Sequence, residues 1–380
     1  MKFVTIYFIL ALSFLNGTSE QAARVMLSLY ALELGAQPLT IGVLAAAFSV
    51  FPMLLAVQAG KLTDRFGARW LLMSGALGAG VVMLLPYFAP GLPAILAAAA
   101  MIGLADAIFS VSVQNLVGIL SSSDNRTRNF NYYSLAASAY CLVGPLFAGF
   151  SIDLFGHATA CLYLALLTLV PVAMLVIWGG TLPGGTRLTP HTGGGIRALL
   201  SEPGVAKVLA TSSLLNTGNN LYQFYMPVYA IAIGLSASII GIVLAINAAA
   251  MFIVRLMLPL LIARFTADKL LTSAFFAGAA SLVLIPLFEG AAMLALISFV
   301  FGLGMGCGHP LMIMLMFSNA PKGRSAEALG LRMTVNHLSR MVGPVIFGSI
   351  ASAFGLLPIF WINALMLGTG GMLNRSKKAT

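Results

Sequence analysis

The residues able to do chemistry in this 380-residue sequence are few, because only 8% of its residues are Asp, Glu, Lys or Arg. Four of them, Glu20, Arg24, Asp106 and Arg340, stand inside long apolar runs. An ionisable side chain at the centre of a bilayer costs at least ~2.5–3.5 kcal/mol, so those that are kept usually face a cavity or a partner. Carboxylates and guanidinium groups in such a place can bind a polar solute or carry a proton.

The apolar runs are the elements that must position these side chains. Hydrophobic residues make up 60% of the chain, and about 20 apolar residues cross a bilayer as a helix. The pattern predicts twelve spans, numbered 1 to 12, at 4–33, 38–59, 69–88, 92–119, 127–152, 157–180, 204–234, 237–263, 268–288, 291–318, 325–354 and 356–374. The stretch 181–203, rich in Gly, Pro and Thr, indicates a cytoplasmic linker between domains 1–180 and 204–380.

The net charge of +10 fits membrane topology better than nucleic-acid binding. With both termini in the cytoplasm, the cytoplasmic segments hold every Lys and Arg outside the spans, and the opposite loops hold none. This predicts a multi-pass protein of the cytoplasmic (inner) membrane, embedded in the lipid bilayer. Four scattered histidines and single intramembrane acids indicate neither a metal site, nor a cofactor, nor an enzyme.

The two halves of the chain repeat at a constant offset of 199 residues. The offset superposes Tyr30-Ala31 on Tyr229-Ala230, Arg65-Phe66 on Arg264-Phe265 and Val143-Gly144-Pro145 on Val342-Gly343-Pro344. We therefore predict an all-α membrane protein of two six-helix bundles related by a parallel pseudo-repeat. The pairs Gly144-Pro145 and Gly343-Pro344 are predicted to bend their helices, since proline removes a backbone hydrogen bond.

Polar residues at helical spacing share faces of spans 1, 4, 7 and 11, whereas spans 3, 6, 9 and 12 contain no charge in their cores. The predicted substrate and proton pathway consists of Asn16, Glu20, Arg24, Asp106, Gln114, Asn216, Asn220, Gln223, Asn336, His337 and Arg340.

Several of these residues allow two interpretations. Glu20 and Arg24 can form a structural ion pair or contact substrate or protons. Asp106 can titrate during transport, pair with a cavity arginine, or bond a neighbouring helix. The amides of span 7 can bind a ligand or fasten helices together. Arg340 is the best single candidate for binding a substrate anion.

The remaining polar residues of the spans favour structural roles. Arg255 and Arg332 lie nearer the cytoplasm, where snorkelling or gate ion pairs are expected. His309 and His337 can titrate, although a hydrogen bond between helices is the commoner role. Three tyrosines of span 7 can form an aromatic wall or pack in the core: Tyr222, Tyr225 and Tyr229.

The stretch 60–69 between spans 2 and 3 reads G-x-L-x-D-R-x-G-x-R, and its glycines predict a tight turn. This pattern resembles the signature loop of the major facilitator superfamily of secondary transporters. The resemblance implies a monomer in which spans 1, 4, 7 and 10 line a cavity and spans 2, 5, 8 and 11 rock against each other. It assigns a conformational gate to Gly60, Asp64, Arg65, Gly67 and Arg69, with Asp64 engaging the start of span 11. In the second copy, Ala263 replaces the aspartate.

The function that this resemblance implies is secondary active transport of a small organic solute by alternating access. We expect proton-coupled efflux of a drug or an amphiphilic or anionic metabolite. The fragment 144–149 partly resembles an antiporter motif, although the upstream glycines of that motif are absent and the Gly-Pro pair recurs in span 11. The alternative is proton-coupled uptake of an organic anion or sugar. A channel would not need two pseudo-equivalent bundles.

Overall fold

The structure, a computed structural model, describes residues 2–66, 68–121, 126–182, 199–321 and 325–375, with the backbone alone over 2–5, 56–66, 126–128 and 325–327 and at 131, 181, 203, 317 and 329. Long helices make up nearly all of these ranges, and no strand occurs in them. The helices are α1 (Lys2–Glu33), α2 (Pro38–Phe66), α3 (Ala68–Phe88), α4 (Leu92–Leu120), α5 (Arg126–Phe155), α6 (His157–Trp178), α7 (Pro203–Ala232), α8 (Ala237–Arg264), α9 (Ala267–Leu284), α10 (Ala291–Asn319), α11 (Ser325–Phe354) and α12 (Leu357–Asn374).

The predicted all-helical membrane architecture with twelve spans is confirmed. In the described part of the chain, α2 to α6 and α8 to α10 are long and apolar enough to cross a bilayer by composition alone. Helices α1, α7, α11 and α12 do not meet this criterion of length and hydropathy, and the first three of them carry the polar stripes. Most of the segment 181–203 lies outside the described residues, so its role as a linker between domains stays a prediction.

Glycine makes the same sharp turn at corresponding places in both halves. Gly35 and Gly234 have φ of 81° and 83°, a left-handed conformation that other residues rarely adopt. The Gly35 N–H donates to Leu32 O at 2.9 Å, and the Gly234 N–H donates to Ile231 O at the same distance. These bonds close α1 and α7 in the same way. Because the two glycines are 199 residues apart, the turns are consistent with the predicted pseudo-repeat.

Helix packing follows one scheme in both halves. In the first half, α1 packs on α4, α5 and α6, α2 packs on α4, and α3 packs on α4 and α6. In the second half, α7 packs on α10, α11 and α12, α8 packs on α10, and α9 packs on α10 and α12. The principal partners of α3, α6, α9 and α12 thus lie in their own half. These four helices contribute to the scaffold, as their lack of charge predicts.

The halves meet along two seams: α5 against α8 is the first seam, and α2 against α11 is the second seam. In the first seam, the Ser238 N–H at the start of α8 donates to Asp153 Oδ2 at the end of α5, at 2.9 Å. In the second seam, the Leu39 N–H at the start of α2 donates to Ser352 Oγ at the end of α11, at 3.0 Å. Helix α1 begins and α12 ends on one face of the molecule, which we call the terminal face. Both bonds lie on the opposite face.

Glycines bring the backbones together in both seams. A Cβ atom at Gly241 would collide with the carbonyl oxygen of Pro145, and one at Gly42 with that of Pro344. The helices α5 and α11 continue through both prolines. The structure therefore assigns the Gly-Pro pairs a place in close helix contacts, since Gly144 also lies against the backbone of α1. The predicted helix bends stay a prediction.

The tight turn predicted over 60–69 is wrong in extent. Helix α2 continues to Phe66 and α3 begins at Ala68, because a helix satisfies the backbone of this polar stretch as well as a loop would. Gly60, Asp64 and Arg65 are therefore helical, and their side chains lie outside the described part of the chain, as does Gly67 altogether.

Candidate functional site

The centre of the molecule, between the two halves, is occupied by charged side chains of α1, α4 and α11. We call Glu20, Arg24, Asp106, His337 and Arg340 the central site. Asp106 interacts electrostatically with Glu20, Arg24 and Arg340. His337 interacts with the guanidinium groups of Arg340 and Arg24. The fold thus brings together residues of α1 and α11 that are more than 200 positions apart in sequence. The central site contains five of the eleven residues that were predicted to form the pathway.

Glu20 and Arg24 form an ion pair within α1. Arg24 Nε and Nη2 lie 2.7 and 2.6 Å from the same oxygen, Glu20 Oε1. The spacing of four residues places both side chains on one helix face. The Arg24 guanidinium also lies 4.7 Å from the centroid of the Phe48 ring, in a cation–π contact from α2. These partners orient Arg24 and leave Glu20 Oε2 without a partner among the described residues.

Asp106 differs from Glu20 because no hydrogen bond or ion pair to its carboxylate is found in the described ranges. Its charge is repelled by Glu20 and attracted by Arg24 and Arg340, which belongs to the other half. Of the interpretations drawn from sequence, a bond to a neighbouring helix finds no support here. A role in binding a proton or another cation is compatible with this isolated position.

A ladder of hydrogen bonds between α7 and α11 holds the arginines of α11. Arg340 Nε donates to Asn216 Oδ1 at 3.1 Å, and Asn216 Nδ2 donates to Asn336 O at 3.0 Å. Ser212 Oγ donates to Asn336 Oδ1 at 3.2 Å and accepts from Arg332 Nη1 at 3.3 Å. Asn216 therefore fastens helices together, one of the two roles predicted for the amides of span 7, and its bond orients Arg340.

Arg332 and Arg255 do not behave as predicted. Only 3% of Arg332 is exposed, so it is buried against α7 instead of snorkelling. Arg255 Nη1 donates to Ser138 Oγ at 2.7 Å across the first seam, and Arg255 Nε donates to Gly306 O at 3.2 Å. Neither arginine has a carboxylate partner among the residues described. Sequence spacing missed this because the acceptors are hydroxyl and carbonyl oxygens, which carry no charge signal.

The tyrosines of α7 pack in the core, and the aromatic wall that they could have formed is absent from the described structure. Tyr222 stacks on Phe301 with ring centroids 4.5 Å apart. Tyr225 donates to Pro344 O at 2.8 Å, and Tyr229 donates to Phe288 O at 3.1 Å. Packing, the commoner fate of such residues, was the correct interpretation.

Two tyrosines of α5 that the sequence did not single out face the central site instead. Tyr133 lies close to Gln114, a predicted pathway residue of α4, and interacts with Asp106. Tyr140 interacts with Glu20 and Asp106. Their spacing of seven residues places them on one helix face, but this signal is identical to that of core packing.

The other amides of α7 and the histidines make few contacts that the structure can assign. Asn220 Nδ2 is buried and finds no hydrogen-bond partner in the described part of the chain, while Gln223 is half-buried. His309 is exposed, although it lies mid-helix and close to the charges of Arg332, Arg255 and Arg340. No hydrogen bond from His309 or His337 to another helix is present within the described ranges.

A separate small cavity lies inside the first half, between α1, α3, α4 and α6. Its polar lining residues are Asn16, Ser19, Glu20, Asp106 and Thr168. Both acids of the central site therefore also border a space within their own bundle.

Arg69 is the residue of the predicted gate whose side chain is described. Its Nη2 donates to Val176 O at 3.2 Å, and its guanidinium lies 5.7 Å from the Trp70 ring centroid. Arg69 thus ties the start of α3 to the end of α6.

Twelve helices in two similarly packed halves, meeting around a buried set of charges, define a membrane transporter. The family model of the Major Facilitator Superfamily matches residues 9–344, and the chain belongs to this superfamily. The family and the fold are those of transporters and not of enzymes, which confirms the resemblance found in the loop at 60–69.

The relatives found by sequence are resistance proteins. The chain is 22% identical to the multidrug resistance protein MdtG of Escherichia fergusonii, over 93% of this chain and 89% of that protein. It is 24% identical to the quinolone resistance protein NorA of Staphylococcus aureus, over 88% of this chain and 87% of NorA.

Among solved structures, a peptide transporter POT bound to sulfate has a TM-score of 0.81 at 14% identity, covering 97% of this chain and 93% of that one. The nucleoside transporter NupG has a TM-score of 0.78 at 14% identity, covering 98% and 100%. These structures show the shared fold.

Proposed function

We propose that the protein exports an amphiphilic organic solute with an anionic group from the cytoplasm, in exchange for protons. The observation that carries the proposal is the charge at the centre. Among the described residues, the guanidinium groups of Arg24 and Arg340 act on two carboxylates, those of Glu20 and Asp106. Arg255 and Arg332, which have no carboxylate partner in the described ranges, add two positive charges close to His309. An anionic substrate group would offset this excess of positive charge.

Each element of the proposal has its own support. The relatives found by sequence support efflux, since they are named as multidrug and quinolone resistance proteins and export of a drug would confer resistance. The isolated carboxylate of Asp106 supports proton coupling. Arg340 has one nitrogen engaged with Asn216, which leaves its two terminal nitrogens for a carboxylate of the substrate. The Met-rich and Phe-rich composition, 19 Met and 24 Phe, suits amphiphilic cargo.

The test is transport into proteoliposomes with an imposed pH gradient, using an amphiphilic aryl carboxylate as the probe. An acidic lumen should drive accumulation if protons leave as the substrate enters, which is exchange. Uptake driven instead by an acidic exterior would establish the alternative, proton-coupled uptake. If the flux is the same without a gradient and with a gradient of either direction, transport is not coupled to protons.

Arg340→Ala is expected to weaken binding of the aryl carboxylate about 10- to 100-fold, because one charge-assisted hydrogen bond contributes roughly 1.5–3 kcal/mol. The methyl ester of the same probe, which carries no charge, should bind the variant and the parent alike. Arg264→Ala, an exposed arginine at the end of α8, is the matched control. Competition binding measures both affinities. An equal loss for acid and ester would exclude Arg340 as the anion site.

The gate around Asp64 and the placement of the protein belong to the same proposal. We place the protein as a monomer in the cytoplasmic (inner) membrane, with both termini in the cytoplasm. Asp64 would then accept hydrogen bonds from the cytoplasmic start of α11, where the helix dipole favours a carboxylate. This contact would latch the cytoplasmic side when it is closed.

Asp64→Asn is expected to shift the resting state toward inward-open, because the latch loses its charge. The readout is the rate of maleimide labelling of Ser134→Cys, an exposed position on the terminal-face half of α5, which should rise severalfold. Ala263→Asn, at the corresponding position of the second half, should leave the rate unchanged. Unaltered labelling in Asp64→Asn would count against the latch.

A further inference from the structure

The small cavity inside the first half has the character of an ion site. It has room for about one water molecule, and oxygen-bearing side chains of three helices border it. Asn16, Ser19 and Glu20 lie on one face of α1, Asp106 comes from α4 and Thr168 from α6. The rest of its lining is apolar and comes mainly from α3, α4 and α6.

The two hydroxyl groups of this cavity can act only as acceptors toward it. Ser19 Oγ donates its hydrogen to Leu15 O at 3.1 Å, and Thr168 Oγ1 donates to Ala165 O at 2.7 Å. Each hydroxyl has a single hydrogen, so lone pairs remain for the cavity. Lone pairs cannot stabilise a carboxylate, but they can bind a cation.

Asn16 points to a missing ligand independently of the acids. It is only 6% exposed and lines the cavity, yet its side chain makes no hydrogen bond within the described structure. Buried side-chain amides nearly always have a partner. An ion in the cavity would engage the Asn16 carbonyl oxygen.

The local charge limits the ligand to a monovalent cation. Arg24 is paired with Glu20 through Oε1, so the carboxylate of Asp106 has no ion-pair partner among the described residues of this half. The guanidinium of Arg340, in the other half, also attracts it. A divalent ion would overcompensate this charge. A proton on Asp106 would balance it but leave Asn16 and the hydroxyl lone pairs without a partner. We propose that the cavity binds one sodium ion through oxygens of Asn16, Ser19, Glu20, Asp106 and Thr168. Potassium is larger and is expected to bind less well.

The experiment is equilibrium binding of ²²Na⁺ to the purified protein in detergent, with choline replacing sodium to hold ionic strength. We expect saturable binding of about one ion per chain. Asp106→Asn should weaken it at least tenfold, and Thr168→Val should weaken it severalfold while keeping the shape of the side chain. Thr211→Val is the matched control, because the Thr211 hydroxyl also donates to carbonyls of its own helix, is 1% exposed and lies in α7, away from the cavity.

Absence of saturable ²²Na⁺ binding by the parent protein would overturn the proposal. So would undiminished binding in both cavity variants, once circular dichroism shows that they are folded. The site shares Asp106 with the proposed coupling role, but binding is measured without flux. Lost sodium binding with intact proton-driven export would therefore remove only the sodium site, whereas sodium binding without export would remove only the proposed function.

Discussion

Asp106→Asn is expected to abolish transport driven by a pH gradient while leaving substrate exchange in the absence of a gradient. Asparagine keeps the size and polarity of the side chain but cannot take up and release a proton. An imposed gradient of about two pH units can concentrate a substrate about 100-fold when one proton is exchanged per molecule. The variant should lose this accumulation completely. Proteoliposome uptake, with and without the gradient, measures both modes in one preparation.

The control for this experiment is Glu289→Gln, which removes an exposed carboxylate between α9 and α10. It should accumulate substrate like the parent protein. If Asp106→Asn still accumulates substrate against a gradient, Asp106 has no part in coupling. If the variant loses both exchange and accumulation, Asp106 is needed for substrate binding instead.

Gly241→Ala is expected to force the first seam apart. The new Cβ atom would overlap the carbonyl oxygen of Pro145, a backbone atom that no side-chain rotation can move away. Overpacking of this kind costs about 1–3 kcal/mol, enough to shift a two-state equilibrium about 5- to 150-fold. The closed state on the face opposite the terminal face should lose population to the open one. Alanine is a better helix former than glycine, so a weakened α8 does not explain the result.

Spin labels at Leu154 and Phe354 report this opening. Both residues are exposed, at 71% and 76%, and lie at the ends of α5 and α11 on the closed face. The distance between the labels should lengthen in Gly241→Ala and in Gly42→Ala, its counterpart in the second seam. Gly368→Ala is the matched control, because a Cβ there would meet no atom within 4 Å. Identical distance distributions in all variants would show that the seams tolerate the extra atom.

The fold could be predicted nearly completely because the bilayer imposes it. A chain that is 60% hydrophobic has to form its backbone hydrogen bonds within helices. The distribution of Lys and Arg between the two sides of the membrane then indicates how many helices cross it. The stretch at 60–69 shows the limit of this reasoning. Its charges mark the membrane boundary, but the α2 helix does not end there, since a helix extends into water at little cost.

The site could be predicted in part. The Glu20–Arg24 pair follows from a spacing of four residues, which fixes geometry within a helix. Contacts between helices do not leave such a signal. Asn216 and Arg340 are bonded although 124 residues separate them, and Tyr140 faces the acids although its spacing is that of a core residue. The polar stripes identified the helices that meet at the centre, but not which side chains pair there.

The two seams carry different acceptors, which gives the closed face a direction in which to open. At the first seam, the carboxylate of Asp153 accepts a hydrogen bond from the Ser238 N–H at the start of α8, and the Arg255–Ser138 bond ties the same pair of helices deeper in the molecule. At the second seam, a neutral hydroxyl of Ser352 accepts one bond. Hydrogen bonds to charged groups contribute roughly 1.5–3 kcal/mol against about 0.5–1.5 kcal/mol for neutral ones. The halves should thus rotate apart about an axis along α5 and α8, so that the gap opens first between α2 and α11.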